Sequence, residues 1–300
     1  VMSLFEDRDG SVWIGTFGGG ACRFDRRTGT FERFAADPDD SAALASSRIT
    51  AFAQDPAGNL YVGSDGGGLH LFDPVERTFR RYAHDPEDPS SLAGNTVYAL
   101  HLDSAGTLWV GTRGGGLSRL DGGAEAPNVA RFTTYSTADG LSNSDIYGIQ
   151  SDPAGNLWLS SNAGLTRFDP RTLTFRNYSR GDGLQASEFN YNSHYRSATG
   201  ELYFGGPNGF NAFYPLQLES NPIPPPVVLT GVSVNHRPLA TAGSVTSLAS
   251  LELGHADDNV LFEFAALDYA DPTRNRYSYK LDGFDEDLKS EVADVAQCAV

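Results

Sequence analysis

Apolar residues along this chain come in short runs, each broken within a few positions by Gly, Asp, Asn or Pro, and no stretch keeps the spacing of an amphipathic helix. The pattern is clearest in residues 49–82, where it predicts four strands: Ile49 to Gln54, Leu60 to Ser64, Leu69 to Phe72 and Phe79 to Tyr82. Asp55-Pro56-Ala57-Gly58-Asn59 joins the first two as a type I turn with glycine in the left-handed position, and Asp65 to Gly68 joins the next two. Leu60, Tyr61 and Val62 are all apolar rather than alternating, so this strand is expected to be covered on both faces.

The same unit recurs. Glu6 to Gly20 returns as Gln54 to Gly68, again as Leu102 to Gly116, and more loosely as Ser151 to Gly164 and Arg196 to Gly209. Its anchoring aromatics are Trp13, Tyr61, Trp109, Trp158 and Tyr203, spaced 48, 48, 49 and 45 residues apart. A repeated four-stranded unit of this length, buried on both faces, is a β-propeller blade. Small residues near the hub, Gly15, Gly63, Gly111, Ser160 and Gly205, would let neighbouring backbones approach. The fold class expected is therefore all-β: a partial β-propeller with about five blades visible, followed by an incomplete immunoglobulin-like β-sandwich. The propeller occupies residues 1–217, a Pro-rich linker 218–226, and the partial sandwich 227–300. In the sandwich, Val227 to Asn235, Asn259 to Ala265 and Arg276 to Leu281 read as strands, whereas Asp285 to Val300 shows no β pattern. The first run, Val1 to Phe5, reads as an innermost strand, and the fifth blade runs into prolines without an outer strand. The expectation is an open, N-terminally truncated array.

Composition agrees with this picture: 33 Gly supply positive-φ turns, and 18 Phe, 13 Tyr and 3 Trp suit half-buried pleated surfaces. A formal net charge of -16 argues against nucleic acid and anionic membrane surfaces as partners. No run is long enough to be a membrane segment, and no signal peptide is visible at the start. Cys22 and Cys298 make neither a zinc site nor a disulfide framework.

The unit D-x-x-G-x-[WY]-[IVL]-G-[TS]-x-G-G, with connections such as Asp85 to Leu92, resembles the two-component regulator propeller repeat. The Pro-rich exit, Val228-Leu229-Thr230-Gly231 and Tyr277 to Asp285 resemble the triple-tyrosine domain that follows such propellers, with Leu288 where that family usually has tryptophan. The resemblance implies a periplasmic sensor region of a bacterial receptor, homodimeric when intact, whose output histidine kinase or diguanylate cyclase lies outside these residues. It implies no enzyme activity and no cofactor for this region.

In a four-stranded blade, the second turn and the long interblade connection fall on one face. Long loops on a rigid scaffold are where recognition concentrates. Arg48, Asn95, Asp145, Asn190 and Tyr191, just before the innermost strands, and Arg113 and Asn162 in the glycine turns, are the candidate ligand-binding residues, with Phe17 and Asp65 beside them. A small polar ligand such as a saccharide would suit them. Asp7-Arg8-Asp9-Gly10 lacks the acid that a calcium loop places at its twelfth position, so Asp7, Asp55, Asp103 and Asp152 read as turn-closing residues and no metal site is expected. Two other readings stand beside the sensor: a platform that docks another protein, and a metal-dependent lyase resembling streptogramin lyase with His194 as general base. Arg180-Gly181-Asp182 matches an integrin-type tripeptide and reads as turn composition.

Overall fold

In each blade an aspartate or serine closes the tight turn after the first strand, and the first four blades end with an aromatic strand on the outside. The computed structural model describes residues 1–121, 130–218, 226–239, 245, 250–255, 257, 259–267, 276–280, 282–283, 289–292 and 296–299. The chain divides into two compact units, Val1–Leu218 and Glu219–Val300.

In the first unit, the first blade is β1 (Ser3–Glu6), β2 (Val12–Gly15), β3 (Ala21–Asp25) and β4 (Thr30–Phe34). The second is β5 (Ile49–Gln54), β6 (Leu60–Ser64), β7 (Gly68–Asp73) and β8 (Thr78–Tyr82). The third is β9 (Val97–Leu102), β10 (Leu108–Thr112), β11 (Gly116–Asp121) and β12 (Arg131–Tyr135), and the fourth is β13 (Gly148–Ser151), β14 (Leu157–Ser161), β15 (Gly164–Asp169) and β16 (Thr174–Tyr178). The fifth has three strands, β17 (His194–Arg196), β18 (Leu202–Gly206) and β19 (Gly209–Phe213). All are antiparallel meanders in sequence order.

Blades pack face to face. Trp13 inserts against Val62, Leu60 and Phe72 of the second blade, Trp109 against Leu157, Leu159 and Phe168 of the fourth, and Trp158 against Leu202, Phe204 and Phe213 of the fifth. Near the hub this packing leaves no room for a side chain. A Cβ on Gly111 would stand 2.8 Å from Ile146 Cγ2, and where Ser160 replaces that glycine its strand partner Gly148 takes over, with a Cβ there 2.4 Å from His194 Cδ2. The first turn of each blade is closed from beneath. Asp152 Oδ1 accepts from Ala154 N and Asn156 N, both at 2.9 Å, and Oδ2 accepts from Trp158 Nε1 at 3.1 Å. Asp7 and Asp103 hold Trp13 and Trp109 by the same indole bond at 2.9 Å. These acids are saturated by turn amides and an indole, the chemistry of a structural clamp.

In the second unit, β20 (Val227–Val234), β21 (Arg237–Pro238), β22 (Val260–Ala266) and β25 (Ala296–Ala299) form one sheet in the order β21-β20-β22-β25, and β23 (Arg276–Tyr279) pairs with β24 (Lys289–Val292). Buried Tyr277 links the two layers: its hydroxyl accepts from Ala266 N at 2.8 Å and its ring lies 5.5 Å from Phe264. β24 and β25 correct the expectation that Asp285 to Val300 lacks strands. The runs Lys-Ser-Glu-Val and Ala-Gln-Cys-Ala carry little β propensity, and their partners impose the conformation: Leu261 to Phe264 of β22 pairs with β25.

Candidate functional site

Backbone hydrogen bonds tie each glycine turn to the connection entering the next blade. Gly20 N donates to Ser47 O at 2.9 Å, Gly68 N to Asn95 O at 2.8 Å, Gly116 N to Ser144 O at 2.8 Å and Gly164 N to Ser187 O at 2.6 Å. Turns and long connections therefore share one rim, and the residues between them face one another around its inner edge.

A chain of polar contacts runs along that edge. The Arg48 guanidinium lies 5.6 Å from the Phe17 ring centroid and pairs with Asp65 at 3.2 Å. Asp65 Oδ1 also accepts from Thr96 Oγ1 at 3.1 Å. Arg113 approaches the Tyr98 hydroxyl. Asp145 Oδ1 accepts from Gly114 N at 2.7 Å, and Asn162 Nδ2 donates to Tyr147 OH at 2.7 Å while lying 3.5 Å from Asp145 Oδ2. Tyr98 stands between two other rings, 5.4 Å from Tyr147 and 5.2 Å from Tyr191. Thus three tyrosines, from the entries to the third, fourth and fifth blades, meet at the hub. Burial raises all three phenols above their ordinary range, Tyr191 to about 12 with help from nearby Tyr98 and Asp65. Their hydroxyls stay protonated at neutral pH, and the buried Tyr191 hydroxyl has no partner among the described residues. The edge thus offers aromatic surface, an unsatisfied hydroxyl, and paired arginine and carboxylate groups.

Of the residues singled out from sequence, Arg48, Arg113, Asp145, Asn162 and Tyr191 come together here. Asn95 and Asn190 do not join them. Asn95 Oδ1 accepts from His84 N at 2.9 Å, bracing the connection, and Asn190 is exposed, with its backbone N donating to Gly205 O at 2.9 Å. Sequence reasoning passed over Tyr98, Tyr147 and Asn192. The two tyrosines share one repeat position with Thr50, visible when Ile49-Thr50, Val97-Tyr98 and Ile146-Tyr147 are superposed. Asn192 reaches across the hub, its Nδ2 donating to Met2 O at 2.9 Å and Thr50 O at 3.1 Å.

His194 lies elsewhere, against Gly148 and stacked on Phe204, with Nδ1 2.8 Å from Gln150 Nε2. Burial lowers its pKa to about 4, so at neutral pH it is uncharged and engaged with Gln150. Among the described residues, no three His, Cys, Asp or Glu side chains converge as a metal site. No described helix is long and apolar enough to cross a membrane.

The model for the two component regulator propeller matches residues 1–18, 43–66, 91–114 and 140–163, one stretch at each of the first four blades. Histidine kinase P4 of Formosa agariphila is 29% identical over 134 residues, 42% of this chain and 10% of that protein. Among solved structures, the extracellular domain of the putative hybrid two component system BT3049 from B. thetaiotaomicron superposes with a TM-score of 0.68 at 21% identity, over 98% of this chain and 45% of that one. The extracellular domain of the putative one component system BT4673 from B. thetaiotaomicron superposes with a TM-score of 0.58 at 19% identity, over 100% of this chain and 51% of that one. The chain thus spans about half the length of these structural relatives and a tenth of the curated one. The first four blades of this chain are two component regulator propeller repeats, carried on a propeller fold shared with those domains.

Proposed function

We propose that this chain is the sensing part of the extracytoplasmic region of a bacterial two-component receptor, and that it takes a small polar ligand at the hub edge of the long-loop face. The observation that carries this reading is the Tyr98–Tyr147–Tyr191 cluster with its unpartnered hydroxyl, set beside the Arg48–Asp65 pair, Arg113 and Asp145. Aromatic faces stack on the apolar faces of sugar rings, and the surrounding fixed donors and acceptors suit hydroxyl groups. A saccharide is therefore the ligand class favoured. Signalling would follow if the ligand binds one arrangement of a receptor homodimer better than the other. Catalysis has weaker support, since His194 is desolvated and engaged with Gln150.

Calorimetric titration with a panel of neutral and acidic disaccharides tests the site. The expected result is binding that Tyr98→Ala and Tyr191→Ala each weaken at least tenfold while the melting transition persists. Binding that both variants leave intact would place recognition elsewhere, and no binding by any sugar would remove the saccharide assignment.

A further inference from the structure

The first strands of the second, third and fourth blades run straight into the hub: Thr50 and Tyr98 lie inside β5 and β9, and Tyr147 N donates to Ser160 O at 2.8 Å just before β13. The entry to the fifth blade does not. Asn190 to Ser193 folds back as a tight turn, closed by Ser193 N donating to Asn190 O at 3.3 Å, and Asn192 at its tip has a φ of 57°. That is the left-handed region, which asparagine tolerates better than most residues but which still carries strain. Both flanks of the turn are anchored on β18: Asn190 N donates to Gly205 O at 2.9 Å, and Gly205 N donates to Ser193 O at 2.7 Å. Tyr191 and Asn192 therefore hang between two fixed ends.

One side chain seats them. Asn192 Nδ2 donates to Met2 O at 2.9 Å and to Thr50 O at 3.1 Å, reaching the first and second blades from the fifth. With the turn seated, the Tyr191 ring lies on Tyr98 with centroids 5.2 Å apart, and the Tyr191 hydroxyl is buried without a partner among the described residues. A buried hydroxyl with no hydrogen bond keeps its full desolvation cost. That cost and the strained backbone at Asn192 oppose the seated position, while the two amide bonds favour it. The balance leaves a lifted position within reach. It also sets a condition on binding, because a ligand cannot touch a hydroxyl that the seated turn keeps buried.

We infer that the Asn190–Ser193 turn is a latch over the hub, held shut by Asn192 through Met2 O and Thr50 O, and that a ligand enters the tyrosine cluster only when those bonds open and the turn lifts. The inference rests on the hub edge being the binding site and makes no use of the ligand's class. Lifting exposes the Tyr191 hydroxyl to the ligand and frees the Met2 and Thr50 carbonyls. The same amide ties the fifth blade to the first two, so ligand entry loosens that tie and is felt in all three blades. Asn192 acts as a positioning residue: it sets where Tyr191 stands.

Nitration by tetranitromethane, read residue by residue by mass spectrometry, reports access to Tyr191 without any ligand. In the wild type Tyr191 should react far more slowly than the exposed Tyr195. Asn192→Gly keeps the left-handed backbone and removes both amide bonds, so it should speed Tyr191 nitration roughly tenfold or more and leave Tyr195 unchanged. Asn192→Asp, which keeps the side chain's shape but turns an acceptor towards two carbonyls, should do the same. Hydrogen exchange separates a latch from a damaged blade: the amides of Asn190 and Gly205 should keep wild-type protection in both variants. Any disaccharide that binds the wild type should bind Asn192→Gly more tightly, since a smaller fraction of the protein is shut. Tyr191 as slow in both variants as in the wild type, exchange at Asn190 and Gly205 rising together with its nitration, or weaker sugar binding by Asn192→Gly overturns the latch. If no sugar binds either protein, the saccharide assignment alone falls, and the nitration rates still decide the latch.

Discussion

The middle three blades and the first and fifth carry second strands of the same pattern and bury them differently. β6, β10 and β14 are buried at every position, while β2 of the first blade alternates between buried and half-buried residues and β18 of the fifth is buried at only two of its five. Val12-Trp13-Ile14-Gly15 is as apolar as Leu60-Tyr61-Val62-Gly63, so local composition cannot be the cause. The difference lies in neighbours. Trp13 faces the second blade and is 1% exposed, whereas Leu4, on the same blade, is 67% exposed. In a repeat array, stability is divided between each unit and its interfaces, so the burial of a blade follows the neighbours packed on it among the described residues.

Truncating the repeated anchor at each kind of position gives the largest expected contrast. Trp109 is enclosed by Tyr135, Phe168, Leu157 and Leu159. Trp109→Ala should cost roughly 3–5 kcal/mol, the range for a large aromatic deleted from a packed core. Tyr203, at the same repeat position, is only half-buried, and Tyr203→Ala should cost about 1 kcal/mol. Urea denaturation of the two variants checks this; equal losses would mean that the end blade is as tightly held as the inner ones.

Acid should weaken the interface between the first two blades. His70 is fully buried between the first two blades, where its Nε2 accepts from Ala45 N at 3.1 Å, and burial lowers its pKa to about 4. In the unfolded chain an ordinary histidine titrates near 6.5, so above that pH both states are neutral and the contribution is complete. As pH falls from about 6.5 towards 4, the unfolded state takes up a proton that the folded state refuses, and stability drops by up to about 3 kcal/mol. Denaturation midpoints measured across that window should fall more steeply for the wild type than for His70→Gln, which keeps an acceptor for Ala45 N without the titration. Parallel curves would remove His70 as the cause.

Much of the fold was legible because the repeat repeats its chemistry. Turn aspartates, glycine turns and unalternating second strands recur together, and each has a local physical cause. Of the candidate site, the residues bordering the glycine turns were legible from topology, but Tyr98 and Tyr147 were not. On their own strands they read as ordinary β-propensity residues; their meeting with Tyr191 depends on how separate blades converge at the hub. Asn95 misled for the opposite reason: a loop asparagine poised before a strand looks free until the amide of His84 is seen to occupy it. In the second unit, β25 was illegible because its partner β22 carries the pairing signal.

The turn clamp sharpens the comparison further. In the fourth blade Asp152 binds two turn amides and the indole of Trp158, whereas in the fifth Ser197 stands in its place, its Oγ accepting from Glu201 N at 3.0 Å and hydrogen-bonded to Thr199 Oγ1 at 2.8 Å, both within the turn. Tyr203, lacking an indole N–H, donates instead to Glu201 Oε2 at 2.5 Å. Removing Asp152 strands a buried indole N–H and frees the turn, so Asp152→Ala should cost about 2–3 kcal/mol, while Ser197→Ala should cost about 1 kcal/mol or less. Hydrogen exchange at the two turns discriminates further. Asp152→Ala should accelerate exchange in β13 and β14 and in the β18–β19 face packed on Trp158, because the clamp holds the very side chain that joins these blades. Ser197→Ala should affect its own turn alone. Exchange that spreads equally from both would show that the fifth blade's turn is coupled to the array in the same way, despite having lost both the carboxylate and the indole.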